Sequence, residues 1–114
     1  MTAEPRIFEK YQSVGVRRGM ECLLRHPDAL RFIDDCERLR LTILGMDFYK
    51  QEEGDIIELL SSADYSSLSG KEDAVEQSIS AARRLIQDRL PEDASWVSFV
   101  VEETRPVGDK EVLP

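Results

Sequence analysis

Between Leu41 and Leu60 the chain reads as two apolar runs separated by a short acidic stretch. Side chains alternate along a strand, so Leu41, Ile43, Gly45, Asp47 and Tyr49 are expected on one face. Thr42, Leu44, Met46 and Phe48 then take the other. The second run, Ile56 to Leu60, is rich in β-formers. Gln51-Glu52-Glu53-Gly54-Asp55 reads as the hairpin connection, with Gly54 supplying a positive φ. A strand that is apolar on both faces belongs inside a sheet, so this hairpin is placed at the centre of the fold.

The flanking pattern supplies the cover. Residues 1–13 are polar and weakly patterned, with Ile7, Phe8 and Tyr11 as anchors. Val16, Met20, Leu23 and Leu24 recur at helical spacing and predict a short amphipathic helix, ended by His26-Pro27. A second helix starts at Pro27 or Asp28, with Ala29, Phe32, Ile33, Cys36 and Leu39 facing inward. Ser61 to Gly70 reads as a serine-rich loop. Ser69 and Glu72 have the spacing of a capping box, which opens a long helix over about Gly70 to Leu90. Its buried stripe is Val75, Ile79, Ala82, Ile86 and Leu90, and Pro91 stops it.

Trp96 to Glu102 is a third strand, with Val97, Phe99 and Val101 on one face and Trp96, Ser98 and Val100 on the other. Residues 104–114 lose all pattern and read as a flexible tail. The order is therefore ααββαβ. A crossover through the long helix would set the third strand parallel to the first and antiparallel to the second. The expected fold is α+β, a two-layer sandwich in which helices cover a small three-stranded mixed sheet, the hairpin plus the C-terminal strand. Residues 1–103 form a single domain.

Length and composition agree with one folded domain: 114 residues, of which 41% are hydrophobic. No run has the length of a membrane span and the N-terminus has no apolar signal segment, so a cytoplasmic protein is expected. Cys22 and Cys36 fit no metal spacing and read as buried free thiols. The formal net charge is −8, and its distribution is uneven: residues 46–73 carry 2 basic and 8 acidic groups. That excess disfavours nucleic acid and anionic membrane as partners and favours a basic protein. An acidic surface kept for solubility would give the same composition.

Candidate chemistry is sparse. His26, the single histidine, sits at a helix break beside a proline and reads as a turn residue. Asp34-Asp35 and Glu52-Glu53-Gly54-Asp55 lack the alternating spacing of a calcium loop and read as solvated charge. No glycine-rich phosphate loop is present, and neither a metal nor another cofactor is expected. What remains is a surface. Asp47 and Tyr49 share a strand face, Glu52, Glu53 and Asp55 cap the hairpin, and Asp64-Tyr65 follow it. Tyrosines beside carboxylates suit a protein-binding hot spot, although Tyr49 and Tyr65 would equally serve as residues at the rim of the core.

Ile43-Leu44-Gly45-Met46-Asp47-Phe48-Tyr49 resembles the "apolar-Leu-Gly-x-Asp-x-Tyr" strand of the immunity protein forty family of bacterial polymorphic toxin systems. Ser78-Ile79-Ser80-Ala81-Ala82-Arg83-Arg84-Leu85-Ile86 is similar to that family's "Ser-Ile-x-x-Ala-Arg-x-Tyr-Ile" helix, and Val97 to Val101 to its closing strand. Gly15-Val16 and Asp28–Leu39 are the counterparts of its opening segment and first long helix, so the likeness spans about residues 14–102. Met46 replaces a second glycine and Leu85 an aromatic, and in the loop before the long helix, where the family has a tryptophan, this chain offers only Tyr65. The resemblance implies a small cytoplasmic, non-enzymatic protein that binds a cognate toxin and blocks it. A basic nuclease occluded at its active cleft would suit the acidic surface. The competing expectations are an adaptor or scaffold domain, dimerising through a sheet edge, and a small enzyme working with carboxylates alone.

Overall fold

The computed structural model describes residues 7–18, 21–89 and 94–103. In chain order these form α1 (Ile7–Tyr11), β1 (Val16–Arg18), β2 (Glu21–Leu23), α2 (His26–Leu39), β3 (Leu41–Glu52), β4 (Asp55–Asp64), a 3-10 turn (Ser66–Leu68), α3 (Ala74–Arg89) and β5 (Trp96–Glu103). Met20, Leu90, Pro91 and the expected tail, residues 104–114, lie outside the described residues.

The fold is α+β, with β3 in the middle of a three-stranded sheet of order β4-β3-β5. Both neighbours of β3 run antiparallel to it. The expected mixed sheet is therefore corrected to an antiparallel one: β5 arrives from α3 running against β3, not with it. The expected first helix is a β-hairpin, with Val16 opposite Leu23 and Arg18 opposite Glu21. Four apolar residues at helical spacing were too few to outweigh β-branched Val16 and two flanking glycines. Adjacent Leu23 and Leu24 are both buried, in different clusters, as successive strand residues are. Leu24 pairs with Val97 and ties this hairpin to the outer edge of β5.

Helices α2 and α3 cover one face of the sheet. Ala29, Phe32, Ile33 and Cys36 of α2, and Val75, Ile79, Ala82 and Ile86 of α3, pack with Ile43, Met46, Phe48, Val97 and Phe99. Leu39, expected inside, is exposed at the end of α2, where Arg40 turns the chain with a left-handed φ of 60°. The simple alternation along β3 fails once. Leu41 and Ile43 share the helix-facing core with Met46 and Phe48, because a bulge against β5 lies between Ile43 and Gly45. At this point β4 has ended, and the Ile43 amide donates to the Ser78 hydroxyl at 3.0 Å. A helix side chain thus substitutes for a missing strand partner.

Two further corrections concern β4 and α3. Ser61–Asp64 extend β4 and are not loop. Helix α3 begins at Ala74, and its first turn is closed by the Gln77 amide donating to the Asp73 carbonyl at 3.0 Å. The Ser69 hydroxyl donates to Glu102 at 2.7 Å, so the expected capping box does not form.

α1 is held by Asp35, which accepts hydrogen bonds from Tyr11 at 2.6 Å, Lys10 at 2.8 Å and Arg38 at 3.0 Å. Burial opposes the carboxylate, but these donors outweigh it and pull its pKa down to about 2. Its folded pKa lies below the unfolded one, so the stabilisation is complete above about pH 4 and is lost as the pH falls. Asp35→Asn is expected to flatten the dependence of urea midpoint on pH across this acidic window. An unchanged slope would show that other carboxylates carry the acid sensitivity.

Candidate functional site

The sheet face away from α2 and α3 collects the sequence-selected residues unevenly. Tyr49 lies opposite Glu58 on β4 and Trp96 on β5, and Asp47 lies opposite Ser62 and Ser98. Directly paired residues share a face, so these six line the centre of the helix-free side. Tyr49 is not presented to solvent. It is fully buried in a second small core with Leu23 and Trp96, flanked by Val16 and Ile56.

The Tyr49 hydroxyl donates to Glu21. Burial, that bond and the charges of Glu21 and Glu58 push its pKa up to about 12, against a smaller opposing contribution from Ser98. Asp47 is half-buried beside this pair. Burial, and then the like charge of Glu21, raise its carboxyl above the ordinary carboxylate range. Glu21 is the residue sequence reasoning missed: read as part of a helix, it carried no signal placing it near Tyr49.

Glu52, Glu53 and Asp55 meet at the hairpin tip and are all exposed. The tip is a two-residue turn with both φ values positive, 50° at Glu53 and 87° at Gly54. Such mirror-image turns match the twist of a hairpin. Lys50 approaches Glu52 at 3.6 Å.

Asp64 and Tyr65 stand at the opposite end of β4, where Asp64 pairs with Gly45 while Asp55 pairs with Glu52. The paired stretch of β3 puts them roughly 23 Å away at about 3.3 Å per strand residue. Asp64 is exposed and accepts the Ser66 amide at 2.9 Å. Hydrogen bonding from Ser66 holds its carboxyl below the usual range. Tyr65 is half-buried against the main core, its amide donates to the Leu44 carbonyl at 2.7 Å, and burial raises its hydroxyl. The seven selected residues thus lie along one hairpin, at its tip, middle and base, and do not converge on a single spot.

The helix layer has a different electrostatic character. Arg83 reaches Asp34 at 2.8 Å and Glu37 at 2.9 Å, Arg40 reaches Glu76 at 2.6 Å, and Arg38 reaches Asp35 at 3.0 Å. These three arginines are matched to carboxylates of the same layer. An open groove lined by Glu37, Glu76, Ile79, Ser80, Arg83, Arg84 and Gln87 runs over α3. Both of its carboxylates are arginine-paired, unlike a general acid held protonated by burial. A smaller depression beside the hairpin tip is lined by Arg25, Gln51, Ser95 and Trp96, with the Arg25 guanidinium 4.7 Å over the Trp96 ring.

Among the described residues, no group of three or more His, Cys, Asp or Glu could hold a metal ion. No described helix is long and apolar enough to cross a membrane. No family model matches this sequence, and neither a curated protein nor a solved structure matches it.

Proposed function

We propose that this protein binds a cognate bacterial toxin with a basic surface, such as a nuclease, and neutralises it by occluding its active cleft. The observation that carries this reading is the charge separation between its two layers. Asp47, Glu52, Glu53, Asp55, Glu58 and Asp64 all lie on the β3–β4 hairpin, while Arg38, Arg40 and Arg83 are paired within the helix layer. A one-sided acidic surface steers a basic partner and speeds association.

The resemblance to the immunity protein forty family also gains a physical meaning. Several of the residues that carry it hold this chain together: Gly45 lets β4 approach, Ser78 accepts the Ile43 amide, Ala82 is fully buried, and Arg83 pins α3 to α2. These positions support a shared scaffold. On this reading the contact residues lie on the acidic hairpin, and buried Tyr49 contributes by bonding Glu21.

The deciding experiment is co-expression with a candidate toxin from a neighbouring gene, scored for survival and co-purification. Rescue with co-purification is expected; neither would appear if the protein were an adaptor within its own cell. Association should slow markedly as salt rises, and a salt-independent rate would remove the steering argument.

Asp47 gives a sharper test. Its raised pKa means that the folded state holds the proton more tightly than the unfolded chain does. This contribution is present below the unfolded pKa and lost as the pH rises through the folded one. Ionised Asp47 therefore weakens the fold at neutral pH. Asp47→Asn is expected to raise stability at pH 7, by up to about 0.5 kcal/mol, while weakening the toxin complex. A change that lowered stability and left affinity intact would assign Asp47 to the fold alone.

A further inference from the structure

Strand β4 has β3 on one side and, among the described residues, no strand on the other. An edge strand presents unpaired backbone N–H and C=O groups, a template for another extended segment. Three features of this edge select what can add to it. Its ten residues, Asp55–Asp64, contain three acids and no base, and the adjoining turn adds Glu52 and Glu53. Tyr49 pairs with Glu58 and Asp47 with Ser62, so Leu59, Leu60 and Ser61 bulge out opposite Phe48 alone. Leu60 stands wholly in solvent at the bulge, and Ile57 is 39% exposed just before it.

We propose that the outer edge of β4 is a docking edge for an extended basic segment of the partner, which adds there as a further strand. This rests on the toxin-binding reading and specifies its mode. Backbone pairing would run along the regular stretch Asp55–Glu58 and end at the bulge. Lysine or arginine side chains of the incoming strand would meet Asp55, Glu58 and the acidic turn, and an apolar side chain would reach Leu60. A second copy of this chain fits poorly, because its β4 would set one baseless acidic edge against another, and like charges opposed across strands repel. The bulge and the acids together bar indiscriminate edge pairing while leaving a basic strand acceptable.

The test uses the full chain and a synthetic eight-residue peptide alternating lysine and valine, with a glutamate–valine peptide as control. Amide hydrogen exchange is followed at low salt. The lysine peptide is expected to slow the exposed-edge amides of Asp55–Glu58 by about fivefold or more, an effect that high salt removes. The glutamate peptide should have no effect. Glu58→Lys, at an exposed position, should abolish protection by the lysine peptide.

Three results would overturn the proposal. One is edge amides already protected in the dilute free chain, which would place the chain's own residues on the edge. Another is protection that grows with protein concentration alone, which would make a second copy the occupant. The third is no protection by the lysine peptide. Survival in the toxin co-expression assay despite any of these would leave the neutralising role intact and remove only the edge.

Discussion

Phe32→Ala is expected to cost about 4 kcal/mol, the range for truncating a fully buried aromatic. Phe32 is completely buried and lies where three elements meet. Its ring stacks on Phe99 of β5 at 4.5 Å, and Phe8 and Tyr11 of α1 approach it at 5.2 Å each. One side chain thus joins the sheet, α2 and the N-terminal helix. The cavity cannot close by moving a loop, because its walls are a strand and two helices. A domain of this size has a total stability of about 5–15 kcal/mol, so the variant should unfold at far lower urea and begin to lose α1 before the rest. Phe32→Leu keeps most of the volume and should cost roughly half as much. A loss under about 1 kcal/mol for Phe32→Ala would mean that the α1–α2–β5 junction is packed much more loosely than the ring distances indicate.

The parts of the fold legible in the sequence were those in which one element satisfies its own pattern. The α2 stripe of Ala29, Phe32, Ile33 and Cys36 and the α3 stripe of Val75, Ile79, Ala82 and Ile86 are buried as their spacing predicts. The β3–β4 hairpin forms where two apolar runs flank Glu53-Gly54. Two of the misreadings share one physical cause, a partner distant in the chain. Val16–Leu24 folds as a hairpin because Leu24 can pair with Val97 and Leu23 can pack on Tyr49 and Trp96. The face alternation of β3 breaks at the bulge against β5, more than 50 residues away, and there Ser78 accepts the Ile43 amide.

The candidate surface shows the same division. Charge excess is a sum over residues and was visible from composition, and turn chemistry exposed the acidic tip. The burial of Tyr49 and its bond to Glu21 depend on a hairpin that helical spacing concealed. Sequence reasoning therefore found the acidic hairpin and left open whether Tyr49 and Tyr65 face outward or pack on the core, where the structure puts both.

Gly45→Ala is the second large effect expected, about 2–3 kcal/mol, as for overpacking in a close-packed region. The reason is not backbone conformation. A Cβ at position 45 would stand 2.9 Å from the Ala63 carbonyl oxygen, and that oxygen belongs to the backbone of β4, not to a side chain that could swing away. Relief requires β4 to move off β3 where Gly45 faces Asp64, just before the Tyr65 amide bonds to Leu44. The damage should therefore be local as well as global. Exchange at Ala63, Asp64 and Tyr65 should rise more than at the hairpin tip, which is held by its own turn.

Gly54→Ala is the contrasting control. Position 54 has a φ of +87° with nothing within 4 Å, so the added methyl meets no atom and costs only the left-handed backbone, about 1 kcal/mol. If Gly45→Ala were as mild as Gly54→Ala, strand separation would be easier than the geometry allows. If Gly45→Ala loosened the base of the hairpin while leaving the tip ordered, the proposed toxin binding should fall through loss of Asp64 and not of Glu52, Glu53 and Asp55. That result would divide the acidic surface into two halves that can be weakened one at a time.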